Sequence, residues 1–292
     1  MKIIDSTTYF EEDLMMDLRF NILDPYVDEF IVSEARFSHS GKEKEIKFDK
    51  KKFSKFEKKI NHIILEKEPN NIIKKDKLSY VEKRYNSILR IKEQRNHISK
   101  FLSKYSPEDF LIYSDNDEIP DLKNFDLQKM KKDVVIFKQK IFYYKFNLIL
   151  PGIDWFGSKA CKIKNLKTVD ILRNSKNKKY AFYRIDALFS DIKHQSLQVV
   201  QNGGWHFSNL KTHEDLHKKY LNDENHSEYE ALNLPVERVR QNIENWTIDY
   251  DHLAKKESQE KFKKVKLERI ELDILPKFIQ DNREKYIEWI IK

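Results

Sequence analysis

The chain has 292 residues and a formal net charge of +8, from 56 Lys+Arg against 48 Asp+Glu, with five glycines and one cysteine. Gly41, Gly152, Gly157, Gly203 and Gly204 nowhere form GxGxxG or GxxxxGK(S/T), which excludes a dinucleotide fingerprint and a P-loop. The lone Cys161 excludes an internal disulfide framework and a CxxC metal or redox site, so a reducing, cytoplasmic setting is expected.

Although only 39% of the residues are apolar, 19 Phe, 14 Tyr and 4 Trp supply enough bulk for a folded core. No apolar run approaches the ~20 residues of a membrane span. The opening Met1-Lys2-Ile3-Ile4-Asp5 turns acidic too early for a signal peptide. The positive charge is mostly lysine, 45 Lys to 11 Arg, and runs such as Lys50-Lys51-Lys52 sit among Glu and Phe as on a solvated helix face. With no zinc-finger or RNP signature, nucleic acid is not expected as a partner; attraction of an anionic ligand or a peripheral membrane contact is the use left to that charge.

In chain order, residues 1–8 read as a strand and 11–23 as a helix, with Leu14, Leu18, Ile22 and Leu23 at helical spacing and Pro25 as its stop. Strands follow at 30–32 and 61–65. A long helix is predicted over 80–105, its inner face formed by Val81, Ile88, Ile91, Ile98 and Leu102. Residues 109–113 form the next strand. This alternation predicts an α/β fold with a mixed, mainly parallel central sheet covered by helices on both faces. The apolar runs 134–137 and 141–144 lie too close together for a helix between them, so antiparallel pairing is expected there. From Thr212 onward the pattern is helical, including a Lys/Glu-rich segment at 257–272 and an amphipathic piece at 276–291. That suggests a catalytic-type domain over 1–230 with a helical C-terminal extension over 231–292.

The chemistry concentrates in Phe110-Leu111-Ile112-Tyr113-Ser114-Asp115-Asn116-Asp117-Glu118-Ile119-Pro120, where an apolar strand runs directly into carboxylates. In an open α/β sheet such a strand end faces the ligand crevice. Asp115 and Asp117 are spaced to reach one hard cation, Mn²⁺ or Mg²⁺, which can hold a diphosphate without a glycine loop. An EF-hand fails because Pro120 stands at the sixth loop position and Asp126 at the twelfth. A DxD phosphohydrolase of the haloacid-dehalogenase type remains a rival, as does a non-catalytic carbohydrate-binding protein. The blandest alternative is that one of the acids caps a helix starting near Asp121.

Around this block stand Tyr9-Phe10-Glu11-Glu12, Leu18-Arg19-Phe20, Val27-Asp28-Glu29-Phe30, Phe37-Ser38-His39-Ser40-Gly41-Lys42, Glu93-Gln94-Arg95-Asn96 and Gly204-Trp205-His206-Phe207-Ser208. In order and spacing these segments resemble glycosyltransferase family 17 over residues 1–230. The family is similar to the β1,4-mannosyl-glycoprotein β1,4-N-acetylglucosaminyltransferases. The resemblance implies a GT-A type domain, a nucleotide-sugar donor (UDP-GlcNAc in the animal members), inversion at the anomeric carbon and a glycan or glycolipid acceptor. The chain departs from the family at Glu11, where Asn more often precedes the Glu, and is expected to lack the animal members' membrane anchor.

On that footing Asp115, Asp117 and His206 are expected at the metal, with Asp117 the more direct ligand. Glu34, Arg36, Arg95, Asp115 and Trp205 are expected on the donor side. Trp155 is a second aromatic for stacking on a sugar, and His226 and Glu228 belong to a weaker motif. The inverting reaction asks for a carboxylate base; Asp154 and Asp186, each in an aromatic-rich stretch, are the candidates. Alanine at Asp115 or at Asp117 is expected to abolish turnover and to leave stability nearly intact.

Overall fold

The computed structural model describes residues 1–178, 181, 183–193, 196–232, 235–249 and 264–292. Its strands are β1 (Ile3–Tyr9), β2 (Glu29–Ala35), β3 (Ile60–Leu65), β4 (Phe110–Tyr113), β5 (Glu118–Pro120), β6 (Val134–Tyr143), β7 (Leu148–Lys162), β8 (Leu197–Val200), β9 (Gly204–Ser208), β10 (Thr247–Ile248), β11 (Val265–Lys266) and β12 (Glu268–Arg269). The helices are α1 (Asp13–Leu23), α2 (Tyr80–Phe101), α3 (Val169–Asn174), α4 (Ile185–Leu188), α5 (His213–Tyr220), α6 (His226–Leu232), α7 (Val236–Glu244) and α8 (Lys277–Asp281). A 3-10 segment, Lys50–Lys59, leads into β3.

One mixed sheet runs in the order β3-β2-β1-β4-β7-β6-β9-β5, with β8 beside β6 and β12 beside β7. The first four strands are parallel, as the alternation predicts. The chain steps from β1 out through β2 to β3, then returns to the other side of β1 as β4. The two directions of winding therefore separate between β1 and β4, and in sheets of this kind the crevice beyond the strand ends at such a point is where ligands bind.

Period-two alternation sorts the strand side chains onto two faces. Phe30, Val32, Phe110 and Ile112 join Met16 and Phe20 of α1 in one core. Ile31, Leu111 and Tyr113 join Ile98 of α2 and Val169 and Leu172 of α3 in the other. Helices thus cover both faces, as expected.

The inner face of α2 differs from the sequence reading. Val81 and Ile88 are exposed, whereas Asn86, Ser87, Arg90 and Gln94 are buried with Ile98. The N-terminal half of this helix packs on loops rather than on the sheet, and loop backbone needs hydrogen-bond partners. Asn86 bonds both the amide and the carbonyl of Ile73, and Arg90 reaches the carbonyl of His39; further along, Gln94 bonds the carbonyl of Ser33 on β2. A Ser79–Glu82 capping box sets where the helix starts.

The runs 134–137 and 141–144 do not pair with each other. They belong to the single strand β6, whose antiparallel partner is β7, with register shifts on both sides of Lys138-Gln139-Lys140. No helix follows the acid block: residues 118–120 form β5, so neither Asp115 nor Asp117 is a helix cap. Helices do return after Thr212, as α5, α6 and α7. The predicted helix over 257–272 lies in part outside the described residues. Its described part forms β11, β12 and a 3-10 turn, because Glu268 and Arg269 add an edge to β7. Only α8 and a further 3-10 turn, Ile287–Trp289, represent the amphipathic piece. This tail lies against α1, where Lys285 and Tyr286 both bond Asp17. Among the described residues no helix is long and apolar enough to cross a membrane.

Candidate active site

A cavity of about 280 Å³ opens at the carboxyl ends of β1 and β4. Residues Thr8 to Phe10 and Glu12 line it from the β1 end, and Asp115 to Glu118 from the β4 end. Phe37, His39 and Lys44 close it after β2, Gln94 and Arg95 from α2, Trp155 from β7, His206 from β9, Lys219 from α5, and residues 222–225 from the α5–α6 turn.

The strand end is braced from beneath. Arg19 of α1, fully buried, donates from Nε and NH2 to the two carboxylate oxygens of Asp5 on β1 at 2.6 and 2.8 Å. Its NH1 donates at 2.6 Å to the carbonyl of Glu118. One guanidinium thereby ties α1, β1 and the acid turn together. Gly204 allows the other support: at φ +130° a side chain there would be strained, and a Cβ would come within 2.2 Å of the Ile119 carbonyl. The close approach of β9 to β5 sets His206 opposite Glu118.

The two aspartates have different surroundings. Asp115 accepts hydrogen bonds from Arg173 (2.8 Å from Nε, 2.5 Å from NH2), Arg95 (3.2 Å) and the Tyr113 hydroxyl (3.1 Å). Burial opposes its charge, but the two arginines outweigh that and hold the carboxyl far below the usual range. Asp117 faces His206, with Nε2 at 3.3 Å from its carboxylate. Burial again opposes the charge, and His206 again wins, so the carboxyl is lowered; the imidazole, disfavoured as a cation by burial, is raised by Asp117. The His206 ring is held by its neighbour Trp155, centroids 5.0 Å apart, and its buried Nδ1 has no hydrogen-bond partner among the described residues. Glu118 is fully buried, accepting from Trp155 Nε1 at 2.6 Å and from Arg173 at 3.1 Å.

The structure therefore brings together Asp115, Asp117, His206, Arg95 and Trp155 of the residues expected from the sequence. Glu34 is near but covered: it accepts from Lys44 at 2.7 Å, from the amides of Lys47 and Phe48, and faces His62 at 3.2 Å. Burial resists its ionisation, yet these donors lower its carboxyl to about 2. Its role is to fix the segment that presents Lys44 to the cavity.

Arg36 pairs with Glu66, both about half exposed, and does not line the cavity. Trp205 is also outside it. As the immediate neighbour of His206 on a strand it must face the other way, and it donates from Nε1 to the Ile274 carbonyl at 2.7 Å in a separate groove. The same alternation removes Asp154, next to Trp155; it pairs with Lys138 at 2.5 Å, half exposed. Asp186 is held on the surface by Arg184 at 2.6 Å and Lys193 at 2.8 Å. Neither candidate base reaches the cavity. His226 and Glu228 do not line it either: His226 Nδ1 bonds the Asp223 carbonyl at 2.9 Å, and Glu228 accepts from Tyr80.

Sequence reading missed Arg173, Glu12, His39, Lys219 and Asp223. Arg173 is 58 positions from Asp115 in the chain, on a six-residue helix with no motif of its own. His39 is kept neutral, burial and the nearby Arg95 lowering it to about 4. The preceding loop leaves one visible mark: Glu11 has φ +62°, a left-handed conformation that Asn adopts more readily than Glu.

Among the described residues no three His, Cys, Asp or Glu side chains cluster as a ready-made metal cage. Asp117 and His206 nevertheless offer an oxygen and a nitrogen side by side. Mg²⁺ and Mn²⁺ are commonly held by one or two side chains, with phosphate oxygens and water completing the shell, so this donor pair fits such an ion.

The family profile of glycosyltransferase family 17 matches residues 1–286. No curated protein matches the chain significantly. Among solved structures, HddC from Yersinia pseudotuberculosis is similar at 12% identity and a TM-score of 0.33, covering 69% of this chain and 90% of that one. The same protein complexed with GMP-PN gives 10% identity and a TM-score of 0.32, with the same coverage. Likeness this slight bears on neither fold nor function.

Proposed function

The chain belongs to glycosyltransferase family 17 and is a transferase, and from that premise we propose that it is a GT-A type, metal-dependent, inverting enzyme that moves a sugar from a UDP-sugar to a glycan or glycolipid acceptor. N-acetylglucosamine is the sugar proposed. The observation that supports this reading best is the Asp117–His206 pair, 3.3 Å apart and open to the cavity at the winding point of the sheet.

In this reading Asp117 and His206 hold Mn²⁺ or Mg²⁺. The cation, when bound, supplies positive charge to the departing diphosphate. Asp115 does not share it as an equal ligand, because Arg95 and Arg173 already occupy its oxygens. It serves instead as a fixed acceptor for donor hydroxyls, while Arg95 adds positive charge to the phosphate side. Trp155, anchored through Nε1 to Glu118, offers a sugar an aromatic surface beside His206. Lys44 and Lys219 bring further positive charge to the same cavity.

A thermal-shift panel of UDP-sugars with and without Mn²⁺ tests the reading. The proposed donor, at about 100 times its dissociation constant, should raise Tm by on the order of 5 °C with the metal and much less without it. Absence of a shift for every nucleotide sugar under both conditions would count against it.

A further inference from the structure

Among the described residues six carboxylates line the cavity, and five have a partner that limits their use as a base. Asp115 is bound by two arginines, Asp117 faces His206, and Glu118 is locked between Trp155 and Arg173. Glu12 accepts the Phe10 amide at 2.6 Å and faces the Lys211 ammonium at 3.4 Å, and Glu224 pairs with Arg84 at 3.2 Å. Asp223 is the exception. Its Oδ1 accepts the Asn225 amide at 2.7 Å, and its Oδ2 has no hydrogen-bond partner among the described residues.

We propose that Asp223 is the general base that deprotonates the acceptor hydroxyl, a role that rests on the glycosyl-transfer reading above.

Position and rigidity support it. The 222–225 turn that carries Asp223 is clamped from three sides: Arg84 of α2 donates to Asn225 at 2.6 Å, the Ser40 amide donates to the Asn222 carbonyl at 3.2 Å, and His226 bonds the Asp223 carbonyl at 2.9 Å. A base held this way keeps its alignment without a cost at the moment of reaction. Lys219 acts electrostatically on both Asp223 and Asp117, so the two carboxylates belong to one charge field. The titratable and charged groups around Asp223 are Lys219 and the neutral phenol of Tyr220 from α5, Glu224 from the α5–α6 turn, Glu228 from α6, and Arg84 from α2, which Glu224 engages. Burial raises the Asp223 carboxyl to about 6, against the pull of Lys219. Such a group is mostly ionised at neutral pH, yet more basic than an ordinary aspartate, as a general base requires.

The step balances simply. The acceptor oxygen forms a bond to the anomeric carbon from the face opposite the diphosphate. The bond from that carbon to the phosphate oxygen breaks, its electron pair leaving with UDP. The hydroxyl proton passes to Asp223 and then to water at the cavity mouth.

The test compares wild type, Asp223→Asn and Asp223→Glu as full chains, measuring UDP release from UDP-N-acetylglucosamine, UDP-glucose and UDP-galactose with Mn²⁺ and water as acceptor. Asn retains an oxygen for the Asn225 amide, so the turn is kept. The expected result for Asp223→Asn is a fall in kcat of about 10²–10⁴-fold with the donor KM little changed. Wild-type kcat should fall tenfold per pH unit below about 6, a limb that Asp223→Asn lacks, and Asp223→Glu should recover part of the rate. An active wild type with an unaltered Asp223→Asn rate and profile overturns the role of Asp223 alone. A wild type that releases UDP from none of the three overturns the transfer reading, and the base with it.

Discussion

Alanine at Asp117 is expected to lower metal-dependent UDP-sugar turnover by about 10³-fold or more, the scale of removing a principal electrostatic stabiliser of the leaving group. Its Tm should stay within a few degrees of wild type. Among the described residues the Asp117 carboxylate is in ion-pair contact with His206 alone, and an imidazole that loses its carboxylate can shed its proton rather than remain a buried cation. Asp115→Ala should behave differently. It strands two guanidiniums, and although Arg95 keeps Asp170 and Arg173 keeps Glu118, four charge-assisted contacts to Asp115 disappear. A loss of about 2–4 kcal/mol is expected on top of lost turnover. Paired measurements of UDP release and melting temperature separate the cases. Full activity in Asp117→Ala would remove the metal assignment, and equal melting temperatures for the two variants would contradict the ion-pair argument. The sequence reading expected both substitutions to leave stability intact, because it contained Asp115 but not Arg173.

That omission illustrates what is legible in a chain of this kind. The strands and helices from β1 to β4 follow from local apolar periodicity, and the acids at the end of β4 follow from strand direction. Arg173 has no local signature, since its partner lies 58 residues away and only the fold brings them together. Alternation along strands was readable but ambiguous. Trp205 and His206 are adjacent on β9, so one had to face away from the cavity, as did one of Asp154 and Trp155 on β7. Which one does so depends on the register with β5 and β6. The inner face of α2 escaped for another reason: apolar spacing locates a helix face that buries apolar side chains, whereas Asn86 and Arg90 meet loop backbone and Gln94 meets the Ser33 carbonyl of β2. Glu11 is the reverse case, a departure from the family pattern whose meaning became physical once its φ of +62° was known.

Arg19 provides the second large effect, on stability. Its guanidinium and the Asp5 carboxylate are 0% and 1% exposed, with bonds of 2.6 and 2.8 Å between them. Arg19→Ala leaves a buried carboxylate without a counter-charge, which costs about 3–5 kcal/mol, a large share of a typical 5–15 kcal/mol stability. A fall in Tm on the order of 10 °C is expected by calorimetry. Replacing both partners with apolar residues, Asp5→Leu with Arg19→Met, removes the uncompensated charge and should restore much of that loss. It cannot restore the third contact, from Arg19 NH1 to the Glu118 carbonyl at 2.6 Å. If that contact positions the acid turn, the double variant regains Tm while UDP-sugar turnover stays well below wild type. Recovery of both together would reduce Arg19 to a packing element and place the alignment of Asp115 and Asp117 with Arg173 and His206 alone.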